Sequence, residues 1–279
     1  MHDLLNSLRC ICAQTRLIVL DGLRRHALIG LLLFALAGTT SGLLFFDFIP
    51  RDIGRATNDF LFSVSWLTGF IFLLFHAVHV MAWDNERGTQ HTFLARPISR
   101  IEYALALYFG LALLLLALNI FLGGMRWEVL KLVRSSVNAS AYFKRLSFPS
   151  FLLATAGLYW IQLTILSIIL LFSSAVRGSI PVLLLTLCYY FICSGLPVVR
   201  ESYKHQILHG SEYHSIGILL KGLTAVFPDF SMLDFKTLAI SDDTAPIISQ
   251  LVLPFAVSTL YIVIALWLAS VIYERRDLK

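Results

Sequence analysis

Six stretches of this chain run for twenty residues or more without a single Asp, Glu, Lys or Arg: Ala27 to Phe46, Phe60 to Trp83, Tyr103 to Met125, Leu146 to Val176, Gly178 to Val199 and Thr244 to Tyr273. A soluble core is lined on one face of each element, so uncharged runs there are short, whereas about 20 apolar residues at about 1.5 Å rise cover a hydrocarbon layer of roughly 30 Å. The composition agrees, with 58% apolar and 14% charged residues against roughly half and a quarter in soluble domains. Lipid is therefore the solvent to fold into, and six spans are expected.

Helices are the structure such runs predict. A spanning segment has to satisfy its own N–H and C=O groups, and barrel strands would alternate apolar and polar residues, which these runs do not. The expected fold is all-α, a single polytopic membrane domain over residues 1–279. Arg9, Arg16, Arg24 and Arg25 precede the first run, which argues for a retained span rather than a cleaved leader.

The polar connections add detail. Residues 4–25 set Leu4, Leu5, Leu8, Ile11, Cys12, Thr15, Ile18 and Val19 at three- and four-residue spacing, which reads as an N-terminal interfacial helix. The other reading of this segment is an extension of the first span as a longer, tilted helix. Gly88 and Pro97 bracket Thr89 to Arg96, enough for a short helix at the membrane face between spans 2 and 3. Residues 126–145 mix Trp127, Leu130 and Val133 with Arg126, Lys131 and Arg134, and predict a second interfacial helix. Ile216 to Phe227 is too short to cross and reads as interfacial or re-entrant, while Pro149, Pro246 and Pro254 predict broken or tilted spans.

Charge alone does not orient the bundle, because alternate connections carry eleven Lys and Arg on each side. The weight of the N-terminal group sets the N- and C-termini inside as the expectation. The net charge of +5 is scattered, which gives no reason to expect nucleic acid and is compatible with anionic lipid head groups.

Several chemistries lack their residues. No GxxxxGK[ST] string is present, so the chain has no usual ATP site of its own, and neither HExxH nor GxSxG occurs. Asp21-Gly22 opens like a membrane alcohol-phosphotransferase signature, but the aspartates that would hold its metal pair do not follow. The runs contain no acid or strong base, which disfavours an ion-driven carrier. His76 and His79 share a helical face and read as structural. His205, His209 and His214 have ligand-like spacing with no thiolate or arranged carboxylate to complete a site, and Cys10, Cys12, Cys188 and Cys193 make no disulfide framework. No cofactor, no metal site and no enzyme activity of its own are expected.

One polar connection carries a recognisable pattern. Glu86-Arg87-Gly88-Thr89 through Leu94-Ala95-Arg96-Pro97-Ile98-Ser99-Arg100, then Glu102-Tyr103 and Gly110, resembles the permease subunits of type-2 ABC transporters. Phe227-Pro228-Asp229-Phe230 is similar to that family's Pro-Asn/Asp-aromatic segment, and Glu274-Arg275-Arg276-Asp277-Leu278 to its basic tail. The nearest branch is that related to multi-copper-enzyme maturation permeases. Ala106 and Leu107 depart from it, standing before Tyr108 where many members carry Gly-Lys before an aromatic.

The resemblance implies a multi-pass permease of a bacterial cytoplasmic (inner) membrane with both termini cytoplasmic. Its partners would be two copies of a separate ABC ATPase and a second permease, as a homodimer or heterodimer. The helix at 89–96 would couple them, with Glu86, Gly88, Thr89, Arg96, Pro97 and Arg100 as the docking residues. Export is the direction the resemblance implies, while the absence of charges in the runs suggests an apolar or amphipathic cargo. The alternative is a mechanotransmitter that passes ATPase motion to an extracytoplasmic partner at residues 200–243 without moving a solute.

Overall fold

The structure, a computed structural model, describes residues 2–24, 26–45, 53–87, 99–136, 147–208, 222–223, 227–236 and 248–275. Within these, every regular element is helical. They are α1 (His2–Arg24), α2 (His26–Phe45), α3, α4 (Arg100–Ser136), α5 (Phe148–Ala175), α6 (Ser179–Leu208) and α7 (Ile248–Arg275). Helix α3 runs from Ile53–Ile71 through a π-helical turn at Phe72–Ala77 into Val78–Arg87. A 3-10 turn, Phe230–Leu233, precedes α7.

Among the described residues five helices, α3 to α7, are long and apolar enough to cross a membrane. Helix α2 has 20 residues, but its described apolar part, Ile29–Gly42, falls short of that measure. The membrane-facing helix of 89–96, Pro246 and, apart from residues 222–223 and 227, the stretch Ile216 to Phe227 lie outside the described residues.

Neighbouring helices meet through small residues, as helices do in lipid, where close backbone approach replaces the hydrophobic drive. Gly38 and Gly42 of α2 lie under Val64 and Phe60 of antiparallel α3, and Gly69 of α3 lies under Gln162 of α5. Helix α4 packs on α1, α3, α5 and α7 and forms the centre. In the apolar windows of α3, α4 and α5, 61–67% of residues are buried, against 28% in α6 and 17% in α7. The outer helices present Ile180, Leu184, Phe191, Leu260, Val263 and Trp267, an apolar exterior suited to hydrocarbon.

Two expectations change at the ends of the helices. Residues 126–136 form no separate interfacial helix; they are the last three turns of α4, and 137–146 lie outside the described residues. Arg126, Leu130 and Val133 recur at helical spacing on one buried face, so the amphipathic stripe of this segment faces α3 and α5 instead of head groups. Pro149, in turn, breaks nothing, because it sits in the first turn of α5 just after Ser147, where a missing N–H removes no helical bond. Helix α7 continues through Pro254.

The N-terminal helix stands differently from a segment floating on the surface. Ser7, Thr15, Ile18 and Gly22 meet Glu102, Ala106, Gly110 and Leu114 in order, so α1 runs beside α4 and in the same direction. An α4 that crosses the membrane holds α1 upright. Helix α2 then continues in that direction, since it is antiparallel to α3, and the extension reading describes this geometry better than the flat one.

The bundle has two distinct ends. One carries the start of α1, the start of α4, the three-residue α5–α6 connection and the end of α7; we term it face A. In that connection Gly178 adopts φ 111°, a left-handed conformation that glycine alone takes without a Cβ penalty. The opposite end, face B, carries the first turns of α3, α5 and α7 and the segment around the 3-10 turn.

Glycine positions supply a test of the packing. A Cβ on Gly157 of α5 would run into the backbone carbonyl of Leu233, which has no rotamer to yield, whereas one on Gly195 meets nothing within 4 Å. Gly157→Ala is expected to cost about 1–3 kcal/mol by overpacking, and Gly195→Ala to leave stability unchanged or slightly raised. Thermal unfolding of the two purified variants reads this difference directly.

Candidate functional site

Face A is built around the start of α4. Ser99 precedes the helix and accepts from the Glu102 N–H at 3.2 Å, while the Glu102 carboxylate accepts from the Ser99 N–H at 3.0 Å. This reciprocal pair is a capping box, which satisfies two otherwise orphaned N–H groups and fixes where the chain turns into the helix. The Ser7 hydroxyl of α1 reaches the same carboxylate. One acid thereby ties the N-terminal helix to the end of the α3–α4 connection.

Arg100, the next residue, reaches across to α7. Its Nη1 donates long bonds of 3.4 Å to the carbonyl oxygens of Tyr273 and Glu274. Those carbonyls close the C-terminal end of a helix, where the backbone dipoles leave a partial negative charge that a guanidinium neutralises. Of the predicted docking residues, Arg100 is thus directed at the bundle itself. Glu86 lies in the last turn of α3, with its side chain outside the description, and Gly88, Thr89, Arg96 and Pro97 are outside the described residues.

Toward face B the structure holds a cation that the uncharged runs gave no reason to expect. Arg126, 1% exposed, lies over the Phe62 ring of α3 at 4.0 Å and 5.2 Å from the Phe151 centroid of α5, and donates to the Thr155 hydroxyl at 2.8 Å. Its Nε and Nη1 have no partner among the described residues. A buried charge without an acid partner is costly even when stacked on aromatic faces. Two turns deeper, Asn119 donates to the Gln162 side chain at 2.7 Å, which stitches α4 to α5.

Next to this cation lies a partly open cavity of about 390 Å³ between α3, α5, α6 and residues 230–236. Trp66, Tyr190 and Phe230 form its aromatic wall, with Trp66 and Tyr190 centroids 5.0 Å apart and Tyr190 and Phe230 stacked at 6.5 Å. The segment from Phe230 to Lys236 forms its roof. Asp229 shapes that roof by accepting from the Ser231 N–H at 2.9 Å and hydroxyl at 2.6 Å. Phe230 and Leu233 are buried, and the buried Asn58 of α3 donates to the Lys236 carbonyl at 2.9 Å. The Phe-Pro-Asp-Phe string was legible as a motif, but not its role as a cover over the bundle.

The histidines take lesser places. His76 is buried in the π turn of α3 against Phe72, with ring centroids 5.1 Å apart, while His209, His214 and the side chain of His205 are outside the description. No protein-family model matches the chain, and no curated protein matches it significantly.

Arg126 separates a structural from a functional cation. Replacing a buried, incompletely bonded charge by an apolar side chain of similar length is often neutral or stabilising, so Arg126→Met is expected to hold or raise the unfolding temperature. Thr155→Val removes the one hydroxyl the guanidinium bonds, and is expected to cost about 1–3 kcal/mol. A thermal melt of both variants gives the comparison.

Proposed function

We propose that the chain is the membrane-spanning permease subunit of an ABC transporter, an exporter whose ATP is hydrolysed by separate ATPase subunits. In this reading α2 is the sixth span, two permeases pair, and two ATPases dock on face A, which is the cytoplasmic side of a bacterial inner membrane. The observation that carries the proposal is the linkage at residues 99–102. The motif-bearing connection ends in a capping box bonded to α1, with Arg100 bonded to the end of α7.

That linkage suits mechanical coupling. An ATPase pair closing on residues 89–96 would displace Ser99, and the displacement would reach α1 through Glu102 and α7 through Arg100. Helix α4 has 37 residues and so extends about 55 Å, beyond the roughly 30 Å hydrocarbon layer. A stiff rod of that length carries a shift at face A to the Arg126 region at face B, and packed helices respond by switching between arrangements. The apolar spans favour an apolar or amphipathic cargo.

A second reading keeps the docking and moves no solute. The roof segment is pinned to α3 by Asn58 and to α5 at Gly157, so motion of those spans would reach an extracytoplasmic partner at residues 200–243. Reconstituted transport with the roof segment intact separates the two readings, because only the exporter moves solute without a partner present.

The docking assignment has its own test. Arg96→Glu and Gly88→Trp are expected to reduce co-purification of the ATPase by about tenfold or more, whereas Arg100→Ala is expected to retain binding and lose stimulated hydrolysis. Unchanged co-purification and hydrolysis in all three variants would contradict the assignment.

A further inference from the structure

We infer that the face B cavity is a binding site for a zwitterionic amphiphile, a lipid-like molecule carrying one positive and one negative group on its head and an apolar tail. The inference rests on the chain crossing a membrane and not on its pairing with an ATPase. At about 390 Å³ the cavity is within the roughly 300–1,000 Å³ of small-molecule sites.

Its chemistry is sorted by depth. The inner wall is aromatic, from Trp66, Tyr190 and Phe230, and offers ring faces that attract an alkylammonium group as well as apolar surface. At the rim stand one cation and one anion, Lys236 and Asp234, bridged at 2.9 Å with side chains 41% and 43% exposed. An exposed bridge of this kind contributes little and opens at little cost, so both charges are available to a ligand.

The two charges are also held in place. Asn58, 1% exposed, fixes the Lys236 backbone at 2.9 Å, and the Lys236 N–H donates to Asp234 at 3.4 Å. A ligand bearing both charges pairs with each partner, whereas a purely anionic head meets Asp234 and a purely cationic one meets Lys236. The tail has an exit. Pro197 and Val198 complete the wall on α6, and Val198 is 65% exposed on the outside of the bundle, where hydrocarbon would lie.

The test uses the full chain in a maltoside detergent, whose head carries no charge. Short-chain phosphatidylcholine, phosphatidylglycerol and an alkyltrimethylammonium of matched chain length are titrated below their micelle concentrations. Brominated tails quench tryptophan, and the difference from Trp66→Phe isolates this site among the five tryptophans. Saturable binding of the phosphatidylcholine about tenfold tighter than either singly charged probe is expected, with tail-less glycerophosphocholine, read by competition, at least as much weaker.

The variants give the sharper result. Lys236→Ala is expected to move the preference to the cationic probe and Asp234→Ala to the anionic one, a shift that misfolding does not imitate. Equal affinity for all three probes, or a preference that neither variant changes, would overturn the proposal and leave only detergent-like partitioning.

Discussion

Hydrocarbon offers no hydrogen bonds, and that single deficit organises the molecule. Each span closes its own backbone bonds as a helix, and the polar side chains within follow the same rule. Ser65, Thr68, Thr164, Ser167 and Thr186 all donate to carbonyls three or four residues back in their own helices. Contacts between spans then come from glycines that admit a neighbour's side chain, and from a few bonds such as Thr164 to Ser258 at 2.7 Å. What remains unsatisfied stands out against this background, and Arg126 is the largest such group among the described residues.

The same helix that buries Arg126 also begins at the capping box, so α4 joins the two polar ends of the bundle. At face A its first turn is held by Ser7, Ser99 and, through Arg100, the last turn of α7. At face B its later turns pack against Phe62, Phe151 and Thr155, beside a cavity whose roof is bonded to α3. A helix of 37 residues has length to spare on either side of a bilayer. The contacts of its charged residues are placed toward those ends, while the middle of the helix is mostly leucine and alanine, with Asn119 bonded to Gln162 as the polar contact between side chains there.

Much of this was legible in the chain, for identifiable reasons. Uncharged runs located α3 to α7, because a span must exclude charge over its full length and the signal is therefore long. The S-x-x-E string at Ser99 to Glu102 is a helix-start signature that lies directly after the Arg-Pro motif. Other features were not legible. Residues 126–145 read as a surface helix because a mixed stripe looks alike whether it meets lipid or other helices, and over 126–136 only the burial of Arg126 and Leu130 decides between them. The upright stance of α1 depends on Gly22 and Gly110 meeting Leu114 and Ile18, a pairing across nearly a hundred residues that helical periodicity does not encode.

In a membrane crossed by α3 to α7, the α3–α4 connection and the 3-10 roof come to lie on opposite faces. Single cysteines at Gly88 and at Met232, introduced into a chain from which the four native cysteines have been removed, can be labelled with a membrane-impermeant thiol reagent in sealed vesicles of one orientation. The account predicts that only one of the two positions reacts until the vesicles are opened. Reaction of both from the same side of an intact membrane would contradict it.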